Sequence, residues 1–392
     1  MLLPVPVEIV WETKTHIKEE KVASIAQKLA TLGTGMTLDE LCELVRFVER
    51  LRSSNECASL YLRKEETKAP RTIEVDSESK RIFIHLKTHN IPEVGRGHHK
   101  RVTHSILYDP DSPKLVATAV VKESEATRSE IDLYEKFKRC KGILKPLYVS
   151  KHPKTSGKML REIITPLYNK GSLSTFVRNN QKAIPIAAKY KIAKDIFVGS
   201  CELNSMGYVN RDNNKGNFFI HEENNTYTTV IGDLGGYTHK LKEALEQKPL
   251  GPSLRSSAPD LQRAYYENRL TEQDLLSQHV YSLGRSLYFL LHEDEVPWIT
   301  AFDDNYPLLA KLYKDKTNPA IAQELDRYTE EVHAHTKPRI QELSVKIQQQ
   351  TIEPQERFEY YVLHMLSADP ELRKTNAYWL KVFETFCTLQ QE

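Results

Sequence analysis

An α+β fold spread over two or three domains is predicted from three observations. The chain has 392 residues, 40% of them apolar and 28% charged, which is enough for two lobes plus an extension, each with a buried core. Strand-like runs occur at Thr72–Val75, at Arg81–Leu86, through Val102, Ile106 and Tyr108, and at Leu115–Lys122. Helical periodicity governs Ile186–Met206, His279–Leu291 and Ile321–Gln350 further on.

Bulk properties exclude several classes. A formal net charge of +2 predicts no nucleic-acid or membrane field. No apolar run approaches the ~20 residues of a membrane helix. The first residues, Met-Leu-Leu-Pro-Val-Pro-Val-Glu, lack a basic leader and meet an acid early, unlike a secretory signal. Cys42, Cys57, Cys140, Cys201 and Cys387 are odd in number and scattered, with no C-x-x-C, as expected of reduced thiols in a cytoplasmic setting.

The first ninety residues carry no chemistry. A helix over roughly Ile17–Leu32 is expected to end at Gly33-Thr-Gly35, and Thr37-Leu-Asp-Glu40 reads as a capping box opening a second helix through Leu41, Val45, Val48 and Leu51. Thr72–Val75 and Arg81–Leu86, joined by a polar turn, predict a hairpin. Residues 1–89 are thus an α/β extension, either a docking element or a buttress for the next lobe, with the boundary near Asn90.

The chemistry gathers between Val209 and Gly236. Val209-Asn-Arg-Asp-Asn-Asn-Lys-Gly-Asn-Phe-Phe-Ile220 places an acid, Asp212, five residues before an amide, Asn217, and runs into a short apolar strand. A polar turn at Glu222–Asn225 and a second strand, Tyr227–Ile231, deliver Asp233 onto a Gly-flanked loop. Such a hairpin brings Asp212, Asn217 and Asp233 to one end of a small sheet. Two carboxylates and an amide oxygen suit a hard cation such as Mg²⁺ bound to phosphates.

This pattern resembles the H-R-D-x-x-x-x-N and D-F-G segments of eukaryotic-like protein kinases. The resemblance implies a two-lobed protein-kinase-like fold over residues 90–392: a small antiparallel β-sheet lobe at about 90–165, a hinge at 166–173 and a mainly helical lobe beyond. It implies ATP and Mg²⁺ as cofactors, Asp212 as catalytic base, and Asn217 and Asp233 as metal ligands.

Other segments extend the resemblance in family order. Gly95-Arg-Gly97-His-His-Lys100-Arg-Val102 is similar to the glycine-rich loop, with Lys100 in place of its third glycine. Gly95, Gly97 and Val102 would then line the nucleotide, since glycine lets backbone N–H groups approach phosphates. Leu115–Lys122 resembles the V-A-I-K strand, with Val120 where the family has alanine and Lys122 on the α/β-phosphates. Glu130 is its expected carboxylate partner, with Glu135 and then Glu125 behind it. Gly142–Val149 and Met159–Thr165 are expected as antiparallel strands, Thr165 taking the gatekeeper place. Pro166 C=O and Tyr168 N–H would face the adenine edge.

Departures from the pattern also stand out. Asn210 replaces the family histidine, Asn214 the lysine two residues after the catalytic acid, with Lys215 one place later, and His279 the aspartate that braces the catalytic loop. Asp233–Asp260 would be the activation segment, with Tyr237, Thr238, Ser253, Ser256 and Ser257 as phosphate acceptors. Ala258-Pro-Asp260 resembles its A-P-E terminus, and Arg373 is expected to pair with Asp260. Residues of about 293–354 form an enlarged insert, either a substrate-docking element or, preferred here, a solvated appendage. The function implied is transfer of the ATP γ-phosphoryl group to Ser/Thr hydroxyls of a protein substrate, with autophosphorylation in trans. The alternatives are a pseudokinase scaffold, motivated by Lys100, Asn210, Asn214 and His279, and a kinase-like small-molecule phosphotransferase.

Overall fold

The computed structural model describes strand segments up to residue 122 and most of the chain from 125 to 389. Residues 1–7, 12–59, 64–69, 76–81, 86–94, 97–99, 109–113, 123–124, 150–153, 156–158, 181–183, 211–212, 240–253, 313, 315 and 390–392 lie outside the described residues. The two helices and the capping box expected before residue 52 fall there. The chain divides into two compact units, residues 1–131 with 145–167, and residues 132–144 with 168–392.

The first unit is built on one sheet of ten strands. In chain order these are β1 (Glu8–Trp11), β2 (Leu60–Arg63), β3 (Pro70–Val75), β4 (Ile82–His85), β5 (Gly95–Arg96), β6 (Lys100–Tyr108), β7 (Lys114–Lys122), β8 (Tyr148–Val149), β9 (Lys154–Thr155) and β10 (Met159–Pro166). The main path runs β1-β2-β3-β4-β6-β7-β10-β8, with β5 on β6 and β9 on β10. The expected hairpin is present as β3 and β4, with Ile73 opposite Ile84. Ile84 in turn pairs with Ile106 of β6, so the strands on either side of residue 90 belong to one sheet. Helix α1 (Glu125–Lys136) contributes its first half to this unit and its second half to the other.

The second unit is mainly helical. It comprises β11 (Gly171–Ser172), α2 (Leu173–Asn180), α3 (Ile186–Ser205), β12 (Tyr208–Asn210), β13 (Phe218–Glu223), β14 (Thr226–Ile231), β15 (Tyr237–His239), α4 (Pro259–Tyr266) and α5 (Glu272–His292), followed by α6 (Phe302–Asn305), α7 (Ala320–Gln348), α8 (Pro354–Met365) and α9 (Asn376–Leu389). Its α5 opens with a reciprocal capping box: Thr271 Oγ1 accepts from Asp274 N–H, and the Asp274 carboxylate accepts from Thr271 N–H at 2.7 Å. From Leu275 onward nearly every α5 side chain is buried, as befits a helix enclosed on all sides. Where α8 approaches, Gly284 leaves room: a Cβ there would meet the Met365 Cβ at 2.8 Å.

The segment expected as a strand at Gly142–Val149 is largely irregular: Tyr148–Val149 pair with Ile164 and Ile163, and Ile143 forms an isolated parallel bridge with Ile231. The reason is where its backbone groups go. Leu144 N–H donates to Ile231 C=O and Ile231 N–H to Gly142 C=O, both at 2.8 Å, so Ile143 and Leu144 are buried in the second unit. Gly142 has φ +67° and lies against Gly199 of α3, where a Cβ would come within 2.7 Å of the Gly199 nitrogen.

The 293–354 insert is packed rather than solvated. Trp298, Phe302, Tyr306, Ile321, Leu325, Tyr328 and Val332 are all buried in the same core as α5. Phe302 and Tyr306 each meet the Tyr328 ring, with centroids 5.2 and 5.1 Å apart. Among the described residues no helix is long and apolar enough to cross a membrane.

Candidate active site

The elements of the first unit expected to meet phosphate are placed by strand register. Gly95 pairs with Val102 and Arg96 with Arg101, closing a hairpin across residues 97–99, so Gly95 and the half-buried Val102 are brought together. Gly97 is outside the described residues. Lys122 ends β7 opposite Leu160, and Val120 lies opposite Arg101 and Glu162. Pro166 ends β10 opposite Val116. Of the three acids offered as partners for Lys122, Glu130 is 3% exposed on α1, whereas Glu135 is exposed and pairs with Lys138 at 3.5 Å on its own surface. Burial of a carboxylate needs a compensating partner, a requirement that Glu130 carries and exposed Glu135 does not.

In the second unit, β13 and β14 form the expected hairpin, with Phe218 opposite Ile231. One step beyond this last pair, Gly232 N–H donates to the Asn217 carbonyl at 2.8 Å. Asn217 and Asp233 are therefore held next to one another at one end of the sheet. Asp233 adopts φ +50°, ψ +64°, the left-handed region that costs a non-glycine residue energy and recurs where side chains must be aimed. The β14 strand thus ends in a strained turn, and Leu234, fully buried, anchors its far side. Tyr168, half-buried beside Phe219 with centroids 6.1 Å apart, has its phenol pushed up to about 12 by burial.

Arg211 and Asp212 lie outside the described residues, but the residues flanking them are firmly held. Asn210 and Asn213 are 1% and 3% exposed. Asn210 N–H donates to His279 Nδ1 at 3.1 Å. The Asn213 amide donates to Ser282 Oγ at 2.9 Å and to His279 C=O at 3.3 Å, and its oxygen accepts from Tyr237 O–H at 3.3 Å. Ser286 Oγ donates to Asn213 C=O at 2.7 Å. Strand β12 pairs with β15, setting Asn210 opposite Tyr237. The histidine that replaces the bracing aspartate therefore still accepts a loop N–H, through a neutral imidazole rather than a carboxylate.

His279 is fully buried, and desolvation holds its pKa down to about 3. Protonation would put a second donor against Asn210 N–H and break the brace. The unfolded chain takes up this proton below about 6.5, the folded chain only near 3, so stability is complete above 6.5 and falls as pH is lowered through that window. His292, His333 and His364, none of them fully buried, are lowered in the same direction by partial desolvation. Denaturant unfolding of His279→Asn between pH 7 and 4 is expected to lose stability less steeply than wild type, by up to ~1.4 kcal/mol per pH unit. Parallel pH profiles would remove His279 from this account.

Lys215, the nearest cation to the missing family lysine, is already engaged. Its ammonium pairs with Glu295 and lies 4.3 Å from the centre of the Phe289 ring. Arg285 approaches the other Glu295 oxygen at 3.5 Å. Burial alone would raise the Glu295 pKa, but Lys215 and Arg285 together hold it below the usual carboxylate range. Asn214 is exposed, and its Oδ1 accepts from Gly216 N–H at 3.0 Å, capping the single turn Lys215–Asn217. Sequence reasoning missed Glu295, because its link to Lys215 spans 80 positions and follows from the packing of α5.

The activation-segment expectations divide. Arg373 pairs with Asp260, as its spacing and motif implied, and also donates to Ser277 Oγ at 2.8 Å and Ser367 C=O at 2.7 Å. Of the residues expected as phosphate acceptors, Tyr237, Ser256 and Ser257 are buried and cannot meet a second molecule in this conformation. Ser256 C=O and Ala258 N–H are instead both held by the Gln278 amide, at 3.2 and 2.8 Å. Ser253 lies outside the described residues, as does the side chain of Thr238.

Comparison with known proteins agrees with this geometry. The family model described as protein tyrosine and serine/threonine kinase matches residues 88–251, a span running from before β5 through the β13–β14 hairpin and past Asp233. No curated protein matches the chain. The matched segment carries the glycine hairpin, the Lys122 strand, buried Glu130 and the Asn217–Asp233 turn, and over this segment the chain is similar to protein kinases.

Proposed function

We propose that this chain transfers the γ-phosphoryl group of ATP to Ser/Thr hydroxyls of a protein substrate in a cytoplasmic setting. The observation that carries the reading is the Gly232 N–H to Asn217 C=O bond, which sets an amide and a left-handed aspartate side by side at the end of a hairpin. Their oxygen donors fit a hard divalent cation, and Asn217 and Asp233 would hold Mg²⁺. When bound, that ion would neutralise charge on the β- and γ-phosphates.

The remaining work falls to the chain itself. Lys122 would orient the α- and β-phosphates, with Glu130 holding it, the glycine-rich segment with Gly95, Gly97 and Val102 would cover them, and Val120 would lie in the roof of the adenine pocket. Pro166 C=O and Tyr168 N–H would receive the adenine edge. Asp212 would accept the proton of the incoming hydroxyl as its oxygen bonds to phosphorus and the bond to the ADP oxygen breaks. Such transfer needs positioning and charge neutralisation more than covalent help, and the neutral brace on Asn210 and Asn213 supplies positioning. Ser/Thr preference rests on Ser253, which counts back from Ala258-Pro-Asp260 to the place where such kinases carry a hydroxyl.

A second reading is favoured by Lys215. With that cation paired to Glu295 and Asn214 in the lysine place, one positive charge is missing from the transfer site, as in a scaffold that binds nucleotide without turnover. Incubation with Mg²⁺ and γ-labelled ATP, wild type beside Asp233→Ala, separates the two. Label on protein Ser/Thr in the wild type, at least ~10²-fold reduced in the variant, is expected. Mg²⁺-dependent nucleotide binding with no transfer to itself or to generic protein substrates would select the scaffold. Transfer only to a sugar or an aminoglycoside would select a small-molecule phosphotransferase.

A further inference from the structure

The segment between the proposed base and the proposed metal ligand, Asn213–Asn217, has an alternating character. Asn213 and Lys215 are held toward α5 and the residues after it, while Asn214 is exposed and Gly216 half-buried. A single 3₁₀ turn such as Lys215–Asn217 has little stability of its own and depends on what pins it. Its internal bonds are two: Asn214 Oδ1 from Gly216 N–H at 3.0 Å, and Asn214 C=O from Asn217 N–H at 2.8 Å. The turn packs against α2 and β11, and the Lys215 side chain fastens it to the end of α5.

That contact is built from both sides. Phe289, which lies under the ammonium, is 4% exposed on α5. Glu295 sits just past the end of α5 and is shared between Lys215 and Arg285 of that helix. The Lys215 and Arg285 side chains are each only 17% exposed. To reach a phosphoryl group Lys215 would surrender an ion pair and a cation–π contact together, each stronger when partly desolvated.

Resting on the kinase reading above, we propose that Lys215 is a positioning residue: through Glu295 and Phe289 it anchors the turn carrying Asn217 to the end of α5, and it is not a ligand of the transferring phosphoryl group. Asn217 belongs to the anchored turn, so loss of the anchor disturbs the metal ligand as well as the base.

The test uses the full chain as wild type, Glu295→Gln, Lys215→Met, Lys215→Arg and the Lys215→Met/Glu295→Gln double variant, each checked for an unchanged unfolding midpoint. kcat and KM for ATP are measured, with the Mg²⁺ concentration that half-saturates binding of a fluorescent ATP analogue. Glu295→Gln and Lys215→Met are each expected to lower kcat by about ten- to hundredfold, the cost of a misplaced catalytic group. The double variant should fall no further than either single, Lys215→Arg should retain most activity, and half-saturating Mg²⁺ should rise in the impaired variants. A rise in kcat for Glu295→Gln would overturn the proposal, since Glu295 would then be withholding Lys215 from the reaction. A loss in Lys215→Met with unchanged Glu295→Gln would overturn it too, as would losses that multiply in the double variant. Should the wild type bind nucleotide without transferring phosphate, the kinase reading fails by itself, and unchanged Mg²⁺ half-saturation in the two single variants would then overturn the anchor. Absence of nucleotide binding would overturn both.

Discussion

Asp212→Asn is expected to lower phosphoryl transfer by about 10²- to 10⁴-fold, the range for loss of a general base, while leaving the fold and Mg²⁺-dependent nucleotide binding intact. The expectation rests on what flanks the position. Asn210 is braced by His279 and Asn213 by Ser282, Ser286 and Tyr237, in a buried network of neutral groups. Exchange of one carboxylate oxygen for an amide nitrogen is nearly isosteric, so the loop keeps its place and loses its proton acceptor. Steady-state transfer to protein, read beside the unfolding midpoint and nucleotide affinity, checks this. Unchanged incorporation of phosphate would sink the role given to Asp212. Loss of activity together with a large drop in midpoint would make the residue structural instead.

The second large effect is on stability. Arg373→Met is expected to destabilise the protein by about 3–5 kcal/mol, because it strips a buried carboxylate of its partner. The Arg373 side chain is fully buried and that of Asp260 is 16% exposed. The guanidinium also bonds Ser277 of α5 and the Ser367 carbonyl, and lies 5.7 Å from the Tyr281 ring centre. One side chain thus joins the start of α4, the middle of α5 and the segment after α8. Arg373→Lys should recover only part of the loss, because an ammonium cannot reproduce the planar fork. A melting temperature lowered on the order of 10 °C is the expected readout. A shift of a degree or two would mean that the pair behaves like a solvated one.

Features legible in the chain were those whose causes are local. Phe218–Ile220 and Tyr227–Ile231 are separated by six residues, and the strands extend to meet at the two-residue turn Asn224-Asn225, so their pairing, and with it the meeting of Asn217 and Asp233, needs little beyond strand propensity. The Leu115–Lys122 strand, the Ile186–Met206 helix and the long helix after Ile321 appear within a residue or two of their expected bounds for the same reason. The Arg373–Asp260 pair, 113 positions apart, was foreseen only because two family-like segments carry it. Gly142–Val149 misled because its apolar residues suggest a strand, whereas its backbone bonds go to Ile231 and its glycine to Gly199.

By itself, then, the sequence determined the kinase-like motifs, their order and the short-range hairpin at the site, since each depends on residue types within a few positions of one another. Tertiary structure decided the rest. It made His279 a neutral hydrogen-bond acceptor for Asn210 across 69 positions, tied Lys215 to Glu295 across 80, and buried Tyr237, Ser256 and Ser257 away from any acceptor role. It also buried Glu130 while leaving Glu135 to pair with Lys138 at the surface. The physical reason is common to all four: which polar group loses water, and which partner it then meets, depends on how distant helices pack.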